Sequence, residues 1–301
     1  MEQLPQKPQG AVKGLIFYFR DIVRFHDVGV PRLVEVLFVL MLAVLFGSVL
    51  LISPYMNALD RLYQGLTIDL ADAVDNQAAL TALVAQMTPE RMQSLTRNTA
   101  AILGIFLGAR LIASVLSLFY GYAWHLGRLT PGGAPLGMAI RSFLGRLPRL
   151  AAVNGLFFGA LLVAGIALSV VIFALSLFIP LLAGVLYMTL PFLYLSVTGV
   201  FAFRHLSVLS GGNRVFGAFS DTWRLTAGSR RTIIGNMVLL YVLGMLISSL
   251  AGGNSAGAPA AAFVVTFLDV IMLLVTQRLI VRMYEDARGM RAERRDAGKE
   301  A

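Results

Sequence analysis

From Leu150 to Phe203 the chain carries no charged side chain at all, and this run constrains the fold more than any other feature. As one helix it would extend roughly 80 Å at 1.5 Å per residue, more than twice the 30 Å hydrocarbon core of a bilayer. It must therefore turn. Ile179-Pro180 is the place, because proline has no N–H for a helix interior but readily opens a new helix. Elsewhere the chain is similarly apolar: 57% of residues are hydrophobic, 14% are charged and the mean hydropathy is +0.77. A soluble chain carries about a quarter charged residues. In lipid only helices and closed barrels satisfy their backbone groups, and long unbroken runs, not short alternating ones, select helices. The expected fold is an all-α polytopic membrane helix bundle of about six transmembrane helices, with interfacial amphipathic helices.

Spans are predicted at Leu33–Ile52, Thr99–Tyr122, Ala152–Leu175, Leu182–Phe203, Thr232–Ala251 and Ala262–Val281. Residues 33–281 thus form the membrane domain, residues 1–32 a basic amphipathic N-terminus, and residues 282–301 a charged tail. The first run starts only at Leu33, after a charged segment too long for a signal-peptide n-region and with no small-residue cleavage pattern behind it. It is expected to stay as an anchor.

Short cytoplasmic loops hold an excess of Lys and Arg, and in this chain the excess is one-sided. Lys7, Lys13, Arg20, Arg24 and Arg32 precede the first span; Arg128, Arg141, Arg146 and Arg149 follow the second; Arg204, Arg214, Arg224, Arg230 and Arg231 follow the fourth. The tail from Arg282 to Lys299 adds more, whereas the opposite loops hold only Arg61, Arg91 and Arg97. Both termini are expected on the cytoplasmic side.

Before the first span, Leu15, Phe19, Ile22 and Val23 fall on one helical face and Lys13, Arg20 and Arg24 elsewhere, the pattern of a basic helix in the headgroup region. Gly29-Val30-Pro31 offers a bend into the bilayer. The outer loop, Ser53–Asn98, is expected to be helical, with Met56, Leu59, Tyr63 and Leu66 on one face. Within it Thr88-Pro89-Glu90 reads as an N-cap, a first-turn proline and a first-turn acid. The acids Asp69, Asp72 and Asp75 read as a solvated helix face, not a cation site.

Two basic segments repeat at an offset of eighty positions: Gly137-Met-Ala-Ile-Arg-Ser-Phe143 through Gly155, and Gly217-Ala-Phe-Ser-Asp-Thr-Trp223 through Gly235. Each places glycine, an aromatic and arginines just before a span. The expected structure is an interfacial helix with its aromatic at headgroup depth and its arginines toward anionic lipid. The lipid-contacting set is Arg141, Arg146, Arg149, Arg224, Arg230 and Arg231.

Ala139-Ile-Arg-Ser-Phe-Leu-Gly-Arg-Leu-Pro-Arg-Leu150, the long span pair with its proline turn, and Ala218-Phe-Ser-Asp-Thr-Trp-Arg-Leu-Thr-Ala-Gly-Ser-Arg-Arg231 together carry a resemblance. The chain resembles the YciC-type bacterial inner-membrane proteins, and the similar membrane domain fused to some glycerophosphodiester phosphodiesterases. The resemblance covers about Trp124 to Leu250; the turn here lacks the Pro-Gly often found in that family. It implies a six-helix inner-membrane protein without an established activity, and no phosphodiesterase domain is present in this sequence.

Little in the chain points to catalysis. With no cysteine, disulfides, thiolate chemistry and cysteine-ligated metals are excluded. Gly253-Asn-Ser-Ala-Gly257 fits the G-x-S-x-G form, but that motif needs a strand before it, a helix after it and a histidine in reach. Here it joins two spans on the side away from His26, His125 and His205, so Ser255 reads as part of a small-residue turn. The three histidines lack metal-ligand spacing and read as interfacial residues flanking helices. There is no phosphate loop of the Gly-x4-Gly-Lys type and no His-Glu-x-x-His pair. No catalytic residue, cofactor or metal is expected, and no nucleic acid partner.

The charges inside the spans are more informative. Arg110, Ser114, Ser117 and Gly121 fall on one face of the second span, and Thr266, Asp269, Thr276 and Gln277 on one face of the sixth. Ionisable groups at such depth usually face the bundle interior or a cavity, and opposite charges at like depth predict an Arg110–Asp269 pair. Glu35, near the start of its span, is expected to reach water. Gly104 with Gly108, and Gly155 with Gly159, have GxxxG spacing and are expected to pack within the bundle; Pro191 is expected to kink the fourth span.

The functional expectation is a non-enzymatic protein of envelope or lipid maintenance. Its partners would be membrane lipids, anionic ones at the basic face, and another membrane protein. The alternative is a transporter or channel for a small solute or lipid that uses the two polar stripes.

Overall fold

The computed structural model describes residues 12–23, 33–64, 81, 86, 88–130, 135–211, 214–252 and 259–289. They form nine helices: α1 (Leu15–Val23), α2 (Leu33–Gln64), α3 (Pro89–Leu129), α4 (Leu136–Phe178), α5 (Pro180–Val200), α6 (Arg204–Leu209), α7 (Val215–Thr226), α8 (Arg230–Gly252) and α9 (Pro259–Ala287). There is no strand among the described residues. Six helices are long and apolar enough to cross a membrane: α2, α3, α4, α8, α9 and the stretch from Pro180 to Leu209. The chain is an all-α, multi-pass membrane protein.

Local chemistry places several boundaries. Thr88 caps α3, its Oγ1 accepting from the Arg91 N–H at 3.3 Å, with Pro89 in the first turn. Phe178 ends α4 and Pro180 begins α5, with Ile179 alone outside both helices. The uncharged run therefore folds back at its proline. Pro54, Pro148 and Pro191 lie inside helices that continue through them.

α2 lies against α3 and α9 along a seam of Leu37, Met41, Leu45, Ala109, Ala113, Val270 and Leu274. The i, i+4 alanines keep α3 slim there, so that backbones approach closely. The edge-to-face pairs Phe38–Phe267 and Phe46–Phe263, with centroids 5.1 and 5.3 Å apart, extend the seam. From α9 the packing continues to α8, then α5, then α4, whose first turns return to α3. At Gly199 of α5 a Cβ would stand 3.2 Å from the Ile234 Cγ1 and 3.4 Å from its Cα on α8, so the two helices cross closely there.

Burial is uneven along the bundle. The largest fully buried side chains include Trp124, Arg278, Tyr18, Tyr120, Tyr284, Phe203 and Leu209, and all of these gather at the end where the arginines cluster. In contrast, none of the most apolar eighteen-residue window of α4 is buried. An apolar surface of that kind is solvated by lipid tails instead of by protein.

Several expectations need correction. The stretch through Met56, Leu59 and Tyr63 is helical as expected, but it continues the first span, which runs past Ile52 to Gln64. The face predicted for α1 splits: Leu15 and Ile22 join Tyr18 in the protein core, while Phe19 and Val23 stay exposed. α1 is thus docked on α9. Residues 282–287, assigned to a charged tail, are buried helix. The two repeats differ in structure: the first is the opening of α4, continuous with its span, whereas the second is the separate α7, broken from α8 by turn residues 227–229. Phe143 is buried against Phe119 and Tyr122, so its ring faces protein instead of lipid. Gly104, Gly108, Gly155 and Gly159 have nothing within 4 Å of a built Cβ, so neither GxxxG pair packs closely on another helix among the described residues. Arg24, His26, Gly29-Val30-Pro31, Leu66, Asp69, Asp72, Asp75 and the Gly253–Gly257 motif lie outside the described residues.

Candidate functional site

The charged members of the two polar stripes meet. Arg110 of α3 and Asp269 of α9 form an ion pair at 2.5 Å, with 43% and 30% of their side chains exposed. The pair is not sealed in a bundle interior. Phe106, its ring 5.4 Å from the guanidinium carbon, and the exposed Leu107 and Leu111 flank Arg110 on α3. Asp269 opens onto a groove of about 360 Å³ between α8 and α9 whose walls include Tyr241, Gly244, Met245, Met272 and Thr276.

Apart from Thr276, which borders the Asp269 groove, the remaining stripe residues do not line an open path. Ser117 donates to the Ser114 carbonyl at 2.8 Å, Thr266 to Ala262 at 2.7 Å and Thr276 to Met272 at 2.6 Å, so each hydroxyl is satisfied by its own helix. Ser114 itself is exposed. Gly121 closes on Gln277: a Cβ there would lie 3.1 Å from the Gln277 Oε1 and 3.3 Å from its Cβ. Past Asp269 the α3–α9 seam is therefore tight. Glu35 is exposed, as expected.

A second polar assembly, at the basic end, was missed from sequence. Trp124 is 1% exposed and is ringed by three guanidiniums, those of Arg128, Arg278 and Arg282, at 4.9 to 5.1 Å from its ring centroid. Arg278 donates to the Tyr120 hydroxyl at 2.6 Å and to the Asp21 carbonyl at 3.1 Å. Arg282 pairs with the Asp21 carboxylate at 2.9 Å and approaches Glu285 at 3.5 Å. Glu285 Oε1 also meets Arg128 at 3.2 Å and His125 Nδ1 at 3.3 Å. Beside them, Tyr284 contacts Ser210 at 2.8 Å, and Asp221 takes bonds from Ser207 at 2.6 Å and Arg288 at 2.7 Å. One end of the bundle is thereby closed by α1, α3, α6, α7 and α9 together. The available signal was Arg278, an arginine inside the predicted sixth span with Arg282 one turn on.

Of the histidines, His125 and His205 are buried in the protein; His125 faces Glu285, and His205 lies beside Gln277. No group of three or more His, Asp or Glu suited to a metal ion occurs among the described residues.

The six arginines assigned to lipid lie around this same end. Arg141, Arg149, Arg224 and Arg231 are exposed, and Arg146 and Arg230 are half-buried. Arg230 stands over the exposed Trp223 ring at 3.6 Å and donates to its carbonyl at 3.3 Å. An apolar cleft of about 780 Å³ lies between α4 and α5, lined by residues such as Leu162, Val170, Phe173 and Leu193. No family model matches the chain, and no curated protein or solved structure matches it either.

Proposed function

We propose that this is a non-enzymatic protein of a bacterial inner membrane, of the YciC-type kind, which serves envelope or lipid maintenance through lipid or protein partners. The observation that supports this most is the rim of arginines around one closed end of the bundle, with the exposed aromatics Phe216 and Trp223 set among them. Arginines near an anionic leaflet contribute about 1 kcal/mol each, and amphipathic rings favour headgroup depth. The basic end faces the cytoplasm in this reading.

A transporter for a small solute is the second reading, favoured by the open groove beside Asp269. Against a straight path stands the plug of Trp124, Tyr120, Arg278 and Tyr284, each essentially without exposed surface.

Native mass spectrometry of the protein extracted with its lipids tests the first reading. Retention of anionic lipid should fall when Arg230 and Arg231 are both replaced by Gln; unchanged retention would refute it. Orientation is tested separately with single cysteines introduced at Glu90 and Gly289. Labelling of both from one side of the membrane would overturn the topology.

A further inference from the structure

The half-open ion pair within the membrane calls for an explanation. Asp269 stands ten residues into α9, which begins at Pro259, so it lies about 15 Å from that end at 1.5 Å per residue. That depth is about the middle of a hydrocarbon core. Charged groups there normally turn into the bundle and use up their hydrogen-bonding capacity on one another. These two do not. Arg110 has no polar partner among the described residues besides Asp269, and only Asp269 Oδ2 is engaged. A guanidinium has five donors in a planar fork, and a carboxylate has two acceptor oxygens. The pair therefore presents unused donors and an unused acceptor side by side, both accessible, in otherwise apolar surroundings.

We propose that the Arg110–Asp269 pair is a binding site for the zwitterionic headgroup of a phospholipid, of the phosphoethanolamine type, that has entered the bundle between the leaflets. The proposal rests on the lipid-maintenance reading and names a ligand for it. The phosphate takes the free edge of the Arg110 guanidinium, whose fork matches phosphate oxygens bidentately. The ammonium donates to Asp269. A simple anion satisfies only the arginine, and a simple cation only the aspartate; a zwitterion alone matches both without leaving a charge stranded in lipid.

The surroundings suit such a ligand. The groove beside Asp269 runs along α9 to Thr276, two turns nearer the basic end, and offers Met245, Met272 and the Tyr241 ring as walls. Methionine side chains adapt to irregular apolar partners. Gly244 permits this width: a Cβ there would meet the Met272 Cε at 3.2 Å. On the α3 side, Phe106, Leu107 and Leu111 are exposed and leave room for acyl chains to remain in the bilayer. The cytoplasmic arginine rim collects anionic lipid at the surface, whereas this site selects by the presence of a cation on the headgroup.

The test uses the full chain in detergent with three probes of identical acyl chains: phosphatidylethanolamine, its N-acetylated form, which lacks the cation, and phosphatidylglycerol. Retained lipid is read by native mass spectrometry. Phosphatidylethanolamine should be held about tenfold more tightly than its N-acetylated form, the loss of one charge-assisted hydrogen bond. In the Arg110→Gln, Asp269→Asn double variant the two should become equal, while phosphatidylglycerol retention at the arginine rim is unchanged. Equal retention of the two headgroups by the natural chain overturns the proposal, and that comparison needs no variant to fold. Preference surviving in the double variant overturns it too. Loss of phosphatidylglycerol retention in the natural chain would instead strike at the rim, and so at the broader reading.

Discussion

Tyr18, near the start of the described chain, donates a 2.7 Å hydrogen bond to Asp286, near its end, across a separation of 268 residues. Both side chains are buried, and the same phenol oxygen accepts from the Lys13 backbone N–H at 2.9 Å. Together with the Asp21–Arg282 pair and the bond from Asn236 to the Lys13 carbonyl, this contact ties α1 to α8 and α9. Replacing Tyr18 by Phe keeps the ring and removes the hydroxyl. The expected loss is about 1–3 kcal/mol, because a buried carboxylate loses a donor. Limited proteolysis should then cut near α1 sooner than in the natural chain; unchanged cleavage would mean that α1 is held by its apolar face alone.

Glu285 touches Arg128, Arg282 and His125 at once. Removing a shared acceptor leaves the cations beside one another, and breaking a buried pair from one side costs about 3–5 kcal/mol. Glu285→Gln should therefore lower the melting temperature in detergent more than Glu35→Gln, which alters an exposed side chain. Equal effects would contradict the hub described here.

For Arg110 and Asp269 the expected result is non-additivity. Each single leucine substitution strands a charge in lipid, whereas the double substitution strands none, so part of the loss should be recovered. Coupling between contacting residues is about 0.5–3 kcal/mol, and partial exposure places this pair toward the low end. Additive losses in a thermal double-mutant cycle would show that the two act independently.

Glycines provide a contrast within one helix of α3. Gly104→Ala and Gly108→Ala meet open space and should stabilise by up to about 1 kcal/mol through helix propensity. Gly121→Val should destabilise, because its Cβ would already press on Gln277 at 3.1 to 3.3 Å before the branch atoms are added. Melting temperatures of the three variants decide the matter, with opposite signs expected.

The apolar runs by themselves determined that the chain spans a membrane with six helices, since no other arrangement satisfies twenty consecutive backbone groups in hydrocarbon. Capping and proline chemistry at Thr88-Pro89 and at Ile179-Pro180 are equally local, and they too were legible residue by residue. The Arg110–Asp269 pair was accessible because depth along a helix is a matter of counting. What the sequence could not decide is which polar face meets protein and which meets lipid. In a bilayer both surroundings are apolar, so hydrophobic patterning no longer separates inside from outside. Helical spacing alone therefore put Phe19 with Ile22, and the run of charges after the sixth span put Glu285 in a tail. Tertiary packing decided otherwise, because Arg278, Arg282 and Glu285 find their partners on α1 and α3, helices remote in the chain and adjacent only once the bundle has closed.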